Sequence, residues 1–206
     1  MEFIQNVVNG IENRAFAKFS YKNIYSDQEL ERIMALCNAV PKETVTIGDL
    51  GEENNLEVGR FVEDLDEQVP VVRNMEFSEK LLGIINNERA KSLFRTIMSG
   101  DYYIRRCQVN KMKKGSFVTK HQDTHSNYSY VYSFVMQLEN DFSGGEFVIY
   151  HNNKKEVILP KKGDVLINKS DALHEVQTVK SGNRMSLVFF MSKQDYNMPN
   201  KENVLV

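Results

Sequence analysis

His121-Gln-Asp-Thr-His-Ser-Asn-Tyr-Ser-Tyr-Val-Tyr-Ser-Phe-Val-Met-Gln137, with His174-Glu-Val-Gln177 and Arg184-Met-Ser186 further on, is the stretch on which the reading of this chain turns. These residues sit in short apolar segments broken by Gly, Asn, Asp and Lys clusters, a pattern of strands joined by turns. Residues i and i+2 of a strand share a face, so His121 and Asp123 are expected to project together. A metal site needs a third ligand. The chain holds only four histidines, and His174 stands ten positions before an arginine on an apolar strand, which makes it the candidate. Two imidazoles and a carboxylate on one face of an octahedral ion leave three positions open, the facial arrangement of a non-haem Fe(II) site.

Working outward, candidate strands fall at 102–112, 117–123, 129–138, 146–151, 155–159, 164–168, 173–179 and 184–191. Upstream, residues 76–99 read as helix in two pieces, with Ser78 and Asn87 as caps and Ser99-Gly100 as the stop. Ser26 with Glu29 opens another helix, whose Leu30, Ile33, Met34 and Cys37 fall on one face and which Pro41 ends. Phe16, Phe19, Tyr21 and Ile24 suggest an edge strand or a packed N-terminal arm. From Asp49 to Glu67 the chain is acidic, which predicts a solvated loop and short helix, or a lid over the site mouth. A helical first third followed by many short strands predicts an α+β, mainly β fold. Its core is expected to be a double-stranded β-helix, a cupin-like jelly roll with supporting N-terminal helices. The expected division is an N-terminal elaboration over 1–100, the core over 101–192 and a tail over 193–206, in one structural domain.

With 206 residues, 41% hydrophobic and 26% charged, the chain suits a globular domain with a substantial core. A net charge of −2 gives no global attraction to a polyanion. No run approaches the roughly 20 apolar residues of a spanning helix, and the opening residues lack a basic segment, so neither membrane insertion nor a signal peptide is expected. Cys37 and Cys107 are expected as small buried hydrophobes in a reducing cytoplasm.

Taken in order, these motifs resemble the Fe(II)/2-oxoglutarate-dependent dioxygenases, particularly the prolyl-4-hydroxylase-like branch. Gly144-Gly145-Glu146-Phe147 resembles that branch's Gly-Gly-acidic turn, and Pro160-Lys-Lys-Gly163-Asp164 its turn into the strand before the distal histidine. Ser181-Gly182-Asn183-Arg184 is similar to its downstream turn and cosubstrate cation. Asn110 and Gly115 ahead of His121 also resemble the demethylase branch that repairs alkylated nucleic acids, although Met112 stands where that branch usually has an aromatic. The resemblance implies that His121, Asp123 and His174 form the catalytic centre and hold Fe(II), with 2-oxoglutarate and O2 as cosubstrates. It implies Arg184 for the distal carboxylate of 2-oxoglutarate, Gln137 where the branch often has a tyrosine for the same group, and Asn110 near the metal-proximal carboxylate. An always-charged planar fork suits a buried carboxylate, and Ser186 on the same strand face can add a hydroxyl. A carboxylate at Asp123 favours hydroxylation, or desaturation or demethylation by the same chemistry, over the halogenation of related enzymes that have a small residue there.

His125 shares the strand parity of His121 and Asp123, and is expected either in the substrate pocket or as a plain polar residue. Tyr128, Tyr130 and Tyr132 alternate along one strand as pocket wall or as aromatic core. Arg105, Arg106, Lys111, Lys113, Lys114 and Lys120 form a basic segment read as a solvated strand face, and as the best argument for an anionic substrate. The expected function is hydroxylation of an unactivated C–H bond of a small molecule, a free amino acid or related metabolite, with a peptidyl prolyl hydroxylase as the alternative. A nucleic-acid demethylase and a non-catalytic cupin-like binding domain stay open, with nucleic acid the less expected partner. The sequence is silent on oligomeric state.

Overall fold

The computed structural model describes residues 2–48, 51, 53–65 and 69–193. No helix among them is long and apolar enough to cross a membrane. Among the described residues four α-helices, α1 (Glu2–Arg14), α2 (Asp27–Ala39), α3 (Met75–Ile85) and α4 (Glu88–Met98), accompany a mainly β architecture. The strands of the first hundred residues are β1 (Phe16–Ser20), β2 (Glu43–Ile47), β3 (Glu53–Glu63) and β4 (Val71–Val72). They are followed by β5 (Tyr103–Lys113), β6 (Val118–His121), β7 (Tyr130–Gln137), β8 (Phe142–Gly144), β9 (Phe147–His151) and β10 (Lys154–Ile158). The last three are β11 (Asp164–Lys169), β12 (Leu173–Val176) and β13 (Val179–Ser192). They curl into one antiparallel sheet in the order β1-β11-β7-β13-β5-β3-β6-β12-β9-β10, with β2 and β4 added to β3 and β8 to β13. This is the expected jelly roll.

The long strand β13 explains how the sheet positions the cavity. Its Met185, Leu187, Phe189 and Met191 are buried in the core that also takes Ile33 of α2, Leu81 of α3 and Phe94 of α4. The alternate residues Arg184, Ser186, Val188 and Phe190 line a cavity on the opposite face. A side-chain period of two thus gives one strand an oily side and a chemical side. Each fully buried Leu or Phe on the helix face contributes about 1.5–3 kcal/mol.

Helix α2 begins as predicted: Ser26 Oγ accepts from the Glu29 N–H at 3.2 Å, and Glu29 Oε2 accepts from the Ser26 N–H at 2.7 Å. Asn87 caps α4, and Ser99 closes it in a left-handed conformation at φ 54°. Ser78 caps nothing. It is buried inside α3, which starts at Met75, and its hydroxyl donates to the Asn74 carbonyl at 3.2 Å.

The first hundred residues hold more than the expected helices. β1 is the foreseen edge strand, whereas α1 was not foreseen and β3 lies within the sheet between β5 and β6. The described part of the acidic stretch is therefore a strand rather than a loop or short helix, and its Asn54, Leu56, Val58 and Arg60 line the same cavity. Leu56, Val58, Phe61 and Val62 are buried, while Glu57 pairs with Lys113 at 2.6 Å and Glu63 with Arg73 at 2.6 Å. Those acids are the outward rungs of a strand. Residues 49, 50, 52 and 66–68 of that stretch, and 194–206 of the expected tail, lie outside the described residues.

Candidate active site

β6 and β12 run antiparallel with His121 directly opposite His174, so two distant residues become a cross-strand pair with ring centroids 4.4 Å apart. In each imidazole Nδ1 donates at 2.8 Å to a backbone carbonyl two residues earlier, that of Thr119 for His121 and of Ala172 for His174. A carbonyl can only accept, so these bonds set the tautomer and leave each Nε2 lone pair available to a metal. Asp123 Oδ1 lies 3.3 Å from His121 Nε2 and 3.5 Å from His174 Nε2. The ligand atoms of all three lie within 4.8 Å of one another. The second oxygen of Asp123 accepts from Ser133 Oγ at 2.5 Å, and Ser133 in turn lies 2.9 Å from Ser170 Oγ. Burial by itself pushes the Asp123 carboxyl up; when the adjacent His174 and His121 rings carry a proton on Nε2, their charge outweighs it and holds the group well below the ordinary carboxylate range. Three acceptors converging in a buried site fit a divalent cation.

Arg184 lines the same cavity at 2% exposure. Its Nη1 reaches Ser186 Oγ at 3.2 Å and Met112 Sδ at 3.7 Å, while Nε and Nη2 have no hydrogen-bond partner among the described residues. Burial pushes the guanidinium down to about 10, which leaves it a cation at neutral pH. A buried cation with two unused N–H directions is costly until an anion meets it, and a carboxylate matches the fork. Gly145 makes room for that side chain: at φ 65°, a Cβ there would come within 2.9 Å of Arg184 Cδ. Asn110 stands across from Ser186 in the β5–β13 ladder and accepts from Gln108 Nε2 at 2.8 Å.

The profile of the 2OG-Fe(II) oxygenase superfamily matches residues 107–192. An oxidoreductase of the 2OG-Fe(II) oxygenase family from Burkholderia pseudomallei is 33% identical, covering 93% of this chain and 92% of that one, with a TM-score of 0.87. This chain belongs to the 2OG-Fe(II) oxygenase family. A PKHD-type hydroxylase of Prochlorococcus marinus is 25% identical over 144 residues, 68% of this chain and 65% of the relative, so the chain spans about two thirds of that protein's length. A Pseudomonas putida prolyl-4-hydroxylase shares the fold at a TM-score of 0.67 and 13% identity, covering 93% of this chain and all of that one.

In this 2OG-Fe(II) oxygenase the three predicted metal ligands and Arg184, Ser186 and Asn110 meet in one cavity. The route differs from strand alternation, because β6 ends at His121 and Asp123 opens a 3-10 turn, Asp123–His125. Strand parity therefore does not extend to His125, which is exposed and does not line the cavity. Nor do the three tyrosines line it. Tyr128 precedes β7 and is 64% exposed, Tyr130 stacks on Phe190 and donates to Asp64 Oδ2 at 2.6 Å, and Tyr132 packs against the helix-side core. Gln137 is buried with both amide protons committed, to the Glu139 carbonyl at 2.9 Å and the Met185 carbonyl at 3.1 Å. Its remaining atom is an acceptor and cannot bind a carboxylate.

The basic segment of the oxygenase does not form one groove. Arg105 is buried against Asp64, Lys113 pairs with Glu57, and Lys120 lies over the Tyr150 ring at 4.0 Å. Ser133, which steadies Asp123, was not singled out from the sequence. It shares β7 parity with Val135, another cavity residue, and that alternation was the available signal.

Proposed function

We propose that this chain is an Fe(II)- and 2-oxoglutarate-dependent hydroxylase in which His121, Asp123 and His174 hold the metal and Arg184 with Ser186 holds the distal carboxylate of 2-oxoglutarate. Arg184 carries the reading: a buried cation with two unused donors shares a cavity with three converging ligand atoms, which suits a dianion that also chelates the metal. When bound, iron and 2-oxoglutarate supply the oxidation, one atom of O2 going to succinate as CO2 leaves and the other converting a C–H bond to C–OH.

The protein's own residues position and shield. The Thr119 and Ala172 carbonyls keep the imidazoles in the binding tautomer. Ser133 occupies Oδ2 of Asp123 and so turns Oδ1 toward both rings. Phe147, Val135 and Val188 make the apolar part of the lining that excludes water. Asn110 is assigned to the metal-proximal carboxylate. The substrate we favour is a small polar metabolite acting in a reducing cytoplasm, in keeping with two buried free thiols. A peptidyl prolyl group is the second reading, favoured by Ile47, which lines the cavity while 66% exposed.

Anaerobic addition of Fe(II) and then 2-oxoglutarate should give a weak visible charge-transfer band that decays to succinate when O2 is admitted. Asp123→Ala should lose the band, and Arg184→Ala should need at least about tenfold more 2-oxoglutarate to reach it, one lost charge-assisted contact. Bands unchanged in both variants would overturn the assignment.

A further inference from the structure

Counting protons around Ser133 shows which polar group of the cavity the chain itself does not serve. Ser133 Oγ donates to Asp123 Oδ2 at 2.5 Å and stands 2.9 Å from Ser170 Oγ. A hydroxyl carries one proton, and the carboxylate can only accept, so in the second contact Ser170 is the donor. The bonds run in one direction, from Ser170 to Ser133 to Asp123. Both serine protons are therefore committed to steadying the metal cluster.

Directly across the ladder from Ser133 stands Asn168 of β11, with Phe16 of β1 beyond it and Phe190 of β13 on the far side of Ser133. Opposed residues share a face with Cβ atoms about 4.5–5.5 Å apart, so Asn168 is one strand away from the serine that touches Asp123. It is fully buried and lines the same cavity. Its Nδ2 donates to the Lys169 carbonyl at 3.1 Å, whereas its Oδ1 is a buried acceptor with no partner among the described residues. Ser133 opposite and Ser170 two residues on have no proton left for it, and the two phenylalanine rings offer none. A buried carboxamide oxygen without a donor is rare and destabilising, and this one stands where a ligand can supply the donor.

The surrounding wall decides which donor fits. Phe16 and Phe190 belong with Val135, Phe147 and Val188 to one apolar cluster. Asp123 is the one acid among the described residues that line the cavity, and it faces the two imidazoles and Ser133. An ammonium placed beside Asn168 would meet a single neutral acceptor in apolar surroundings, which does not make up for its lost hydration. A neutral O–H or amide N–H needs one acceptor, and Oδ1 provides it.

We propose that Asn168 is a substrate-reading residue: its Oδ1 accepts a hydrogen bond from a neutral O–H or amide N–H of the substrate and so orients the substrate beside the metal cluster. This rests on the hydroxylase reading and adds to it the donor chemistry of the substrate and the residue that reads it. A prolyl ring within a peptide brings no N–H of its own, so the inference also favours a substrate other than peptidyl proline.

The test uses the Fe(II)- and 2-oxoglutarate-loaded enzyme and the succinate released above the substrate-free rate. Polyols and sugars offer O–H, N-acetyl amino-acid amides offer amide N–H, and free amino acids without side-chain donors and proline peptides serve as contrasts. A member of the first two groups should stimulate release most strongly, and which group it comes from tells hydroxyl from amide. That compound is then methylated at each O–H or N–H in turn. One methylation should lower kcat/KM by at least about tenfold, because a buried acceptor is left unmatched. In Asn168→Leu the parent compound should lose a similar factor, and parent and methylated forms should differ by less than about threefold, as expected when one pairwise interaction is gone. Ligand-free Asn168→Leu should melt no lower than the wild type, since it removes an acceptor that the fold does not satisfy. Stronger stimulation by free amino acids or proline peptides, no response to any compound, no methylation that matters, a Leu variant that keeps the discrimination, or a lower melting temperature would each overturn the proposal. Absence of the charge-transfer band in the wild type would instead strike at the underlying hydroxylase reading.

Discussion

Two buried arginines of this protein, Arg105 and Arg184, meet opposite fates. Arg105 is 1% exposed, and its guanidinium meets Asp64 at 2.5 Å, a carboxylate that also accepts from Asn127 Nδ2 at 2.9 Å and from the Tyr130 hydroxyl. Arg184 is equally buried and has a hydroxyl and a thioether within reach, but no partner for Nε or Nη2 among the described residues. The first is a closed network that ties the end of β3 to β5 and to the loop after Asp123. The second is an open one. In a folded protein the desolvation of a cation is offset either by the chain itself or by what the chain binds, and the difference separates an arginine of architecture from an arginine of function.

The comparison can be broken most forcefully at Asp64. Asp64→Ala removes the carboxylate that Arg105, Asn127 and Tyr130 share, and should cost about 3–5 kcal/mol of unfolding free energy in urea titration. A loss below about 1 kcal/mol would mean that the network is not structural. Arg184→Met should behave in the contrary way. Removing an uncompensated cation should leave the ligand-free protein at least as stable. The stabilisation that 2-oxoglutarate confers on the Fe(II)-loaded wild type, about 2.7 kcal/mol at a hundredfold excess over Kd, should fall to about 1.4 kcal/mol or less in thermal melts at the same concentration. The smallest effect is expected at Gln137, whose donors the backbone already occupies: Gln137→Leu should lose about 1 kcal/mol of stability and shift 2-oxoglutarate affinity less than about twofold. A larger shift would return Gln137 to the cosubstrate site.

What the sequence disclosed follows the same division. His121, Asp123, His174 and Arg184 were legible because ligand chemistry needs particular residue types at particular intervals. The strand pairing that brings them into one cavity follows from hydrophobic alternation, which was legible for all eight strands expected after residue 100. β3 was hidden because its outward acids gave it a loop's composition; in the fold Glu57 meets Lys113, and Glu63 meets Arg73 and Arg60. His125 is the polar alternative because the backbone leaves the strand for a 3-10 turn, and Tyr130 and Tyr132 are the core alternative because the cavity residues of β7, Ser133 and Val135, have the other parity. Gln137 was misread because its partners are carbonyls, which have no signature in sequence. Ser133 is placed beside Asp123 by register with neighbouring strands, and a register is visible only once the strands are paired.

The alternation of β13 also bears on how such a chain can change over time. Because Met185, Leu187 and Phe189 build the wall against the helices while Arg184, Ser186 and Val188 face the cavity, insertion or deletion of one residue inside this strand would exchange the two sets. A methionine would then stand in the chamber and a guanidinium would press into the oil. Drift by substitution stays open to β13, but drift in length within the strand is closed.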